Sequence, residues 1–391
     1  MLIFWWAMGV LLAALWVWRA ADAGLGMRKV AEISQPAWDK KPPLHPPRIS
    51  IIVPARDEEE EIESALRSLV TLDWPNYEVI AVNDRSTDRT GALMEHVARE
   101  HDAHHRLRVV HLDNLPSGWL GKPHAMSVGA KHATGDWLLF TDADVVFRHD
   151  ALRRAMAYAI SVNADHLVMF PTHIDWSVSK KIMLAGFNML FVFGHRPWKT
   201  SDPKARDHMG VGAFNLVKKS VFDAIGGMEK LKMEIIEDMR MGKLIKDSGF
   251  LQYNVFGRDL LLLPWGAGAW ALSSNLTKNF FALMHFSVAR ALGMCFLIAL
   301  FNLMPFVGFW FAPGLAKLGY VLSLFSVFCL YVGMSWYSPI WPFYFFFHPI
   351  SAGLLIFTFL RSMLHTLRHN GVIWRGTHYS LAELRRGLVK G

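Results

Sequence analysis

Apolar positions are concentrated at the two ends of the chain, whereas the middle alternates short apolar runs with polar segments. Residues 1–18 contain no Asp, Glu, Lys or Arg, and residues 291–360 contain only Lys317. A helix that spans a bilayer needs about 20 mostly apolar residues. The pattern therefore predicts a transmembrane anchor over residues 1–20 and a C-terminal membrane region over residues 291–360.

The C-terminal membrane region offers three candidate spans, near residues 291–312, 318–337 and 340–360. Basic residues follow both apolar ends of the chain, and loops rich in Lys and Arg stay on the cytoplasmic side of a membrane. The middle of the chain and the basic tail, residues 361–391, are therefore expected in the cytoplasm, at the inner membrane. A cytoplasmic tail requires two crossings in this region, which is the topology we favour; three crossings are the alternative.

Between the two ends, short β-rich runs alternate with helical periodicity. Strands are predicted at residues 49–53, 77–82, 107–111 and 137–140, and helices at residues 58–70, 87–98 and 123–133. Repeated strand–helix units with apolar strands favour an α/β fold with a mostly parallel sheet. This domain is expected over residues 48–275. A proline-rich linker, residues 21–47, precedes it, and an interfacial segment, residues 276–290, comes after it.

The composition narrows the class of protein. Of the 391 residues, 52% are hydrophobic and 19% are charged, which excludes a disordered chain, and the apolar spans are too confined for a polytopic transporter. Cys295 and Cys329 lie in apolar runs without ligand spacing, so neither a disulfide framework nor a zinc site is expected. The basic residues behind the net charge of +8 gather beside the membrane segments, which favours an anionic lipid surface over nucleic acid.

Polar clusters follow the predicted strands at the points where those strands end. Pro54 and Asp57 follow the first strand, Asp84 ends the second, and Asp142 and Asp144 follow the fourth. Ligands of parallel sheets bind beyond the carboxyl ends of the strands, so these residues are expected to converge on a binding site. Two carboxylates this close repel each other unless a cation holds them. They predict a divalent metal, Mg²⁺ or Mn²⁺, bound to a diphosphate.

Two further clusters have both a structural and a chemical interpretation. Lys122 opens a predicted helix after a Gly-rich turn, where it is either a surface lysine or a cation that meets a phosphate together with the helix N-terminus. The spacing of a P-loop is absent. Glu237 and Asp238 are either acidic residues of a first helical turn or the source of a general base that deprotonates a hydroxyl.

Six segments in this order resemble the family 2 glycosyltransferases, which have the GT-A fold, a Rossmann-like and mostly parallel sheet; the resemblance covers residues 48 to about 285. The segments are IIVPARDEEE, VNDRSTD, GWLGKPHAMSVG, TDADV, GAFNLVKKSVFDAIGGMEK and IIEDMRMGKLIKDSG. The resemblance implies that Asp57 and Asp84 contact the nucleotide, and Pro54 and Lys122 are further candidates for binding the nucleotide sugar. It assigns the metal and the diphosphate to Asp142 and Asp144. It further implies that Asp238 is the inverting general base, with Glu237, Gly212 and Phe214 shaping the acceptor site. Asp57 stands where the family often has Asn.

The acceptor class is predicted from motifs in the sequence beyond the Glu237-Asp238 pair. The Gln-x-x-Arg-Trp motif of cellulose-type and hyaluronan-type synthases is absent, which disfavours a processive polysaccharide synthase. The segments LTKNFFA, with Lys278 and Asn279, and WRGTHY, with Trp374 and Arg375, instead resemble features of bacterial carotenoid- and hopanoid-associated glycosyltransferases. These four residues are assigned to the acceptor region on that resemblance.

One uncharged stretch, residues 182–193, is too short to span a bilayer and is predicted to be either a buried core helix or an interfacial helix. If it is interfacial, the active site opens at the membrane surface. The predicted reaction is inverting, non-processive transfer of a sugar from a nucleotide diphosphate sugar, a UDP-sugar by expectation, to a membrane lipid. The alternatives are a polyprenyl-phosphate glycosyltransferase and, from another class, a membrane-anchored binding protein without turnover.

Overall fold

The computed structural model describes residues 1–100, 106–174 and 176–389. The chain divides into two compact units. The helical unit contains residues 1–29, 175–198 and 265–372, and the sheet unit contains residues 30–174, 199–264 and 373–391. The predicted domain boundaries ran continuously along the chain, whereas both units are discontinuous in sequence.

The strands in chain order are β1 (Ala31–Glu32), β2 (Ile49–Ala55), β3 (Tyr77–Asp84), β4 (Leu107–Leu112), β5 (Trp137–Phe140), β6 (Val146–Phe147), β7 (His166–Phe170), β8 (Thr172–His173), β9 (Asn215–Lys218), β10 (Gln252–Phe256), β11 (Leu261–Leu263), β12 (Gly371–Trp374) and β13 (Thr377–Ser380). The main sheet of the described residues has eight strands in the order β1-β10-β7-β9-β5-β2-β3-β4. All neighbours in it are parallel except β9, which is antiparallel to both β5 and β7. A small second sheet has the order β6-β11-β8.

The register of the central strands brings their carboxyl ends to one edge of the main sheet. Every residue of β2 is buried, which fits a strand in the middle of the sheet. Pro54 of β2 pairs with Val82 of β3, and Ile52 of β2 pairs with Phe140, the last residue of β5. The segments after β2, β3 and β5 therefore leave the sheet at the same edge, as the sequence predicts.

The helices in chain order are α1 (Leu2–Gly26), α2 (Ile62–Val70), α3 (Thr90–Glu100), α4 (Gly121–His132), α5 (Ala151–Ser161), α6 (Val178–Gly194), α7 (Lys219–Ala224), α8 (Glu237–Asp247), α9 (Ala269–Leu283), α10 (Val288–Ile298), α11 (Met304–Phe311), α12 (Lys317–Met334), α13 (His348–Arg368) and α14 (Leu381–Gly387). The helices predicted from residues 58 and 87 begin later than expected, at Ile62 and Thr90. Hydrogen bonds between the two loops before them explain the delay. The backbone N–H of Glu58 donates to the Thr90 hydroxyl, at 2.8 Å, and that of Glu59 donates to the Asp88 carboxylate, at 3.1 Å.

The predicted proline-rich linker is ordered in part. Helix α1 continues to Gly26, and β1 joins the edge of the main sheet beside β10. Arg154 of α5 donates from its guanidinium to the carbonyls of Ile33 and Gln35, at 3.3 and 2.9 Å. Because these carbonyls are satisfied by one buried side chain, this part of the linker is held against the sheet unit.

Four helical segments among the described residues, all in the helical unit, are long and apolar enough to cross a membrane: Leu2–Lys29, Val288–Phe311, Gly314–Met334 and Pro342–Arg368. This matches the prediction of one N-terminal span and two to three C-terminal spans. Helix α6 contributes Met183, Leu184 and Met189 to the apolar core of this unit. The structure therefore supports the buried-core interpretation for that face of the uncharged stretch.

Candidate active site

Lys122 joins two carboxylates at the carboxyl edge of the main sheet. Its Nζ atom lies 2.5 Å from Oδ1 of Asp142, which follows β5, and 2.6 Å from Oε1 of Glu237, in the first turn of α8. Burial alone would lower the pKa of the Lys122 ammonium, but the charges of Asp142, Glu237 and Asp238 raise it well above its ordinary value. The lysine is therefore a permanent cation, and the chemical interpretation of this residue fits its position.

A cleft surrounds this lysine. The residues that line it are Pro54, Lys122, Met126, Phe140, Thr141, Asp142, Gly212, Asn215, Glu237 and Asp238. Six of them were singled out from the sequence: Pro54, Lys122, Asp142, Gly212, Glu237 and Asp238. Parallel strands ending at one edge account for the meeting of Pro54 with Asp142. No role for Asn215 was predicted from the sequence.

A glycine loop connects the two acidic sides of the cleft. A Cβ atom on Gly210 would lie 1.9 Å from the backbone oxygen of Asp238, and one on Gly212 would lie 2.4 Å from Oδ2 of Asp142. The Gly212 carbonyl also accepts a hydrogen bond from the Asp142 backbone N–H, at 3.0 Å. Only glycine allows this close approach, so the loop fixes the separation of Asp142 from the first turn of α8.

Asp238 has the properties of a general base. Its Oδ1 accepts a hydrogen bond from the backbone N–H of Met239, at 2.7 Å. Burial and the charge of Glu237 raise the pKa of Asp238 to about 6, against the opposing effect of Lys122. A carboxylate with a pKa near neutrality is a stronger base than an ordinary one and is still mostly ionised at pH 7. Glu237, which is 3% exposed, is instead engaged by its ion pair with Lys122.

Asp142 and Asp144 are the predicted ligands of a metal ion. Burial and the charge of Asp142 raise the pKa of Asp144 to about 7. A cation bound between the two carboxylates would relieve this repulsion. Within the described residues, no group of three His, Cys, Asp or Glu side chains is placed to hold a metal. Two carboxylates suit Mg²⁺ or Mn²⁺, and the remaining oxygen ligands would have to come from a bound diphosphate or from water. The residues fit a metal that binds together with its substrate.

The two other predicted nucleotide contacts, Asp84 and Asp57, are engaged with protein groups. Asp84 is 3% exposed and forms a two-point ion pair with Arg85, at 2.7 and 3.0 Å. Oδ1 of Asp57 accepts hydrogen bonds from the backbone N–H and the hydroxyl of Thr87, at 2.8 and 3.2 Å. Neither aspartate is among the residues that line the cleft. A nucleotide-binding role for these residues remains a prediction.

The predicted acceptor residues are distributed over both units. Phe214 is fully buried and packs its ring against Phe147, with 6.1 Å between the ring centroids. Lys278 and Asn279 lie on α9 of the helical unit. Trp374 ends β12, and the guanidinium of the adjacent Arg375 donates to the Asp57 carbonyl, at 2.9 Å. Of the residues predicted to shape the acceptor site, Gly212 and Glu237 line the cleft.

Two residues beside this edge were not predicted from the sequence. Glu58 pairs with Arg375, and its pKa is raised to about 7 because burial and the charge of Asp144 outweigh that pairing. Tyr379 accepts a hydrogen bond at its hydroxyl from the backbone N–H of Gly121, at 3.1 Å. Glu58 follows the polar Asp57, but no local signal in the sequence pairs it with the tail.

Known proteins resemble this chain both in sequence and in fold. Residues 50–226 match the model of the glycosyl transferase family 2 domain. Among solved structures, a mannosyltransferase from Pyrobaculum calidifontis in complex with GDP-Man and Mn²⁺ superposes with a TM-score of 0.53. The match covers 93% of this chain and 99% of that one at 18% sequence identity, which shows a common GT-A fold.

Two proteins of known name are similar to this chain in sequence over most of their length. A 4,4'-diaponeurosporenoate glycosyltransferase from Staphylococcus aureus strain MRSA252 is 25% identical over 353 residues, or 86% of this chain and 89% of the relative. The same-named protein of strain USA300 is 28% identical over 265 residues, or 63% of this chain and 68% of the relative. Residues 50–226 therefore match a glycosyl transferase family 2 domain, and the chain has carotenoid-associated relatives, in agreement with the resemblance and the GT-A fold predicted from the sequence.

Proposed function

We propose that this protein transfers a sugar from a nucleotide diphosphate sugar to a membrane lipid, with inversion and one sugar at a time. The observation that carries the proposal is the position of Lys122 between Asp142 and Glu237, with Asp238 in the same cleft. Such a cleft combines a cation suited to a diphosphate with a base suited to an acceptor hydroxyl. We place the catalytic domain on the cytoplasmic side of the inner membrane.

In the proposed reaction, Asp238 takes the proton of the acceptor hydroxyl while that oxygen attacks the anomeric carbon. The bond between the anomeric carbon and the diphosphate oxygen breaks in the same displacement, and the nucleoside diphosphate leaves. One displacement inverts the anomeric centre. Glu237 is occupied by Lys122, whereas the ion pairs found in the described residues do not include Asp238, which favours Asp238 as the base.

Lys122 would bind the diphosphate at the start of α4, where the helix N-terminus adds its partial positive charge. Asp142 and Asp144 would hold Mg²⁺ or Mn²⁺ together with that diphosphate. The metal, when bound, neutralises charge that develops on the departing group. The Mn²⁺ of the Pyrobaculum mannosyltransferase complex supports a divalent cofactor in this fold.

A lipid acceptor is supported by two observations. The curated relatives are named 4,4'-diaponeurosporenoate glycosyltransferases, which are carotenoid-associated. The chain itself has four segments long and apolar enough to cross a membrane. A lipid acceptor could reach an enzyme held at the bilayer without entering water.

The test uses the full-length protein in lipid nanodiscs with membrane lipid extract, Mn²⁺, and either UDP-glucose or GDP-mannose. Lipid products are analysed by mass spectrometry, and we expect a new species heavier by one sugar residue. An acid-labile product would instead identify a sugar phosphodiester and so a polyprenyl-phosphate acceptor. Donor binding without transfer to any lipid, over a panel of nucleotide sugars, would contradict the proposal and favour a binding protein.

A further inference from the structure

Asn215 is a buried amide in the wall of the cleft. It begins β9 and pairs with Phe140, the last residue of β5, so it stands beside the segment that carries Asp142. Asn215 is 1% exposed and lines the cleft together with Asp142 and Asp238. Its side chain carries one acceptor oxygen and one donor nitrogen, and the surrounding hydrogen bonds determine which of them is available.

The orientation is set first at Gln252, which is fully buried in β10. One end of its side-chain amide accepts a hydrogen bond from the Met209 backbone N–H, at 2.6 Å, so that end is the oxygen. The other end donates to the Gly242 carbonyl, at 3.1 Å, and is therefore the nitrogen. The same nitrogen lies 2.8 Å from Nδ1 of His166, which must accept from it.

His166 transmits this orientation to Asn215. Burial lowers the pKa of the His166 imidazole to about 4, so the ring is neutral at pH 7 and carries one proton. Because Nδ1 accepts from Gln252, the proton is on Nε2, which contacts Oδ1 of Asn215. The oxygen of the Asn215 amide is thereby occupied. Two backbone groups, through two side chains, determine which way this amide faces.

The nitrogen of the same Asn215 amide, unlike the oxygen, is not engaged in a hydrogen bond found among the described residues. Among the described residues, Nδ2 of Asn215 is buried and has no hydrogen-bond partner. A buried donor without a partner destabilises the protein, so a ligand group that accepts from it gains binding energy. The unsatisfied donor belongs to a residue of the cleft wall, so a ligand in the cleft can satisfy it.

We propose that Nδ2 of Asn215 donates a hydrogen bond to an oxygen of the transferred sugar and that Asn215 helps to select the donor. This inference rests on the proposed function. In an inverting displacement, the sugar lies between the base and the diphosphate, and Asn215 shares the cleft wall with the candidates for both, Asp238 and Asp142. A neutral amide suits a sugar hydroxyl or ring oxygen, whereas the anionic diphosphate is matched by the Lys122 ammonium.

The test compares Asn215→Asp with the wild-type, full-length enzyme. Aspartate retains an acceptor for His166 but replaces the donor nitrogen with a second acceptor oxygen, so it removes the proposed contact and adds a negative charge. We expect kcat/KM for the sugar donor to fall by at least about tenfold, the equivalent of one hydrogen bond. In Asn215→Ala, which adds no charge, the dissociation constant of the free nucleoside diphosphate should stay within about twofold, because that ligand lacks the sugar.

The chain offers a matched control in Asn254. This residue of β10 is 4% exposed, its Oδ1 accepts from the Thr200 hydroxyl, and its Nδ2 also has no partner among the described residues. It does not belong to the cleft lining. Asn254→Asp therefore makes the same chemical change outside the site, and kcat/KM should remain within about twofold of wild type.

A second comparison uses monodeoxy analogues of the donor that the wild-type enzyme accepts. If Asn215 binds one sugar hydroxyl, the analogue that lacks this hydroxyl should have a lower kcat/KM than the normal donor in the wild type. In Asn215→Ala the two donors should have the same kcat/KM, because the amide nitrogen that binds the hydroxyl is absent. This comparison also serves if Asn215→Asp does not fold. Unchanged kcat/KM in both Asn215 variants, or an equal loss of free nucleotide affinity, would overturn the inference. A wild-type enzyme that transfers no sugar would speak against the proposed function instead.

Discussion

The cleft of the sheet unit and the three C-terminal candidate membrane segments both bury polar side chains, but of different kinds. The cleft holds charges, with Lys122 between Asp142 and the buried Glu237. The buried polar side chains found between Val288 and Arg368 are hydroxyls and one imidazole, namely Ser323, Ser326, His348, Ser351, Thr358, Ser362 and Thr366. Since a buried charge costs far more than a buried hydroxyl, charges are retained where a charged ligand can use them.

The two regions also differ in how their polar groups are satisfied. In the helices, Ser323 donates to the Gly319 carbonyl one turn back, at 2.9 Å, and Thr358 donates in the same way to Leu354, at 2.7 Å. Beside the cleft, Asp142 repels Asp144, and in the cleft wall the amide nitrogen of Asn215 has no hydrogen-bond partner among the described residues. These helix hydroxyls are satisfied by carbonyls of their own helices, whereas the cleft is arranged for a ligand. Substitutions in the two regions should therefore affect different quantities.

The largest expected effect comes from removing the metal. Excess EDTA should lower sugar transfer by about a thousandfold or more, since the metal contributes several kcal/mol of charge stabilisation at the departing diphosphate. Asp144→Asn should also weaken metal-dependent nucleotide binding, measured by calorimetry. Asp136→Asn, at an exposed position just before β5, is the control and should bind nucleotide normally. Full activity in EDTA would show that the metal has no part in the reaction.

The next effect concerns the cation of the cleft. Lys122→Met should weaken nucleoside diphosphate binding by about 10- to 100-fold, because a hydrogen bond between charged groups is worth about 1.5–3 kcal/mol. Lys131→Met, an exposed position on the same helix, should leave the affinity unchanged. Equal affinities in the two variants would mean that Lys122 only holds Glu237 and Asp142 in place.

A smaller effect is expected from pH. The pKa of Asp238 is raised to about 6, and the base must be unprotonated to act. With saturating metal, kcat should therefore be flat above that pH and fall about tenfold for each unit below it. A profile that instead falls near pH 4 would indicate a carboxylate with an ordinary pKa and would argue against Asp238 as the base.

The smallest effect on turnover is expected in the helical unit. The hydroxyl of Ser362 accepts from the Phe281 backbone N–H, at 2.8 Å, and donates to the Thr277 carbonyl, at 2.5 Å. Ser362→Ala should lower the free energy of unfolding by about 1–2 kcal/mol, seen as a reduced melting temperature in nanodiscs, with kcat unchanged. A large loss of kcat at normal stability would show that this helix core also takes part in the reaction.

The parts of the fold that depend on local pattern were predictable. The strands expected at residues 77–82 and 137–140 lie within or coincide with β3 and β5, because apolar, β-branched runs flanked by polar residues define buried strands. The start of α2 was not predictable, since it depends on the hydroxyl of Thr90, which holds the backbone of Glu58 outside the helix. Such contacts between loops leave no periodic signal.

The candidate site also contains residues that could be predicted from the sequence and one that could not. Lys122, Asp142 and Glu237 meet because α4 and α8 begin where β5 ends, and chemistry at strand ends can be read from sequence. The orientation of Asn215 depends on His166 and Gln252, both buried and distant in sequence. A polar residue at a strand start has no visible partner until the strands are assembled, which is why this residue was missed.

The most direct test of the central claim compares Asp238→Asn with Asp247→Asn at the exposed end of the same helix. Transfer to lipid and metal-dependent nucleotide affinity are measured on both proteins in nanodiscs. We expect Asp238→Asn to lose about 10²- to 10⁴-fold in kcat while its nucleotide affinity stays near that of Asp247→Asn, which should behave as wild type. Retention of more than about a tenth of wild-type kcat by Asp238→Asn would contradict the claim, because that loss is below the range for a general base.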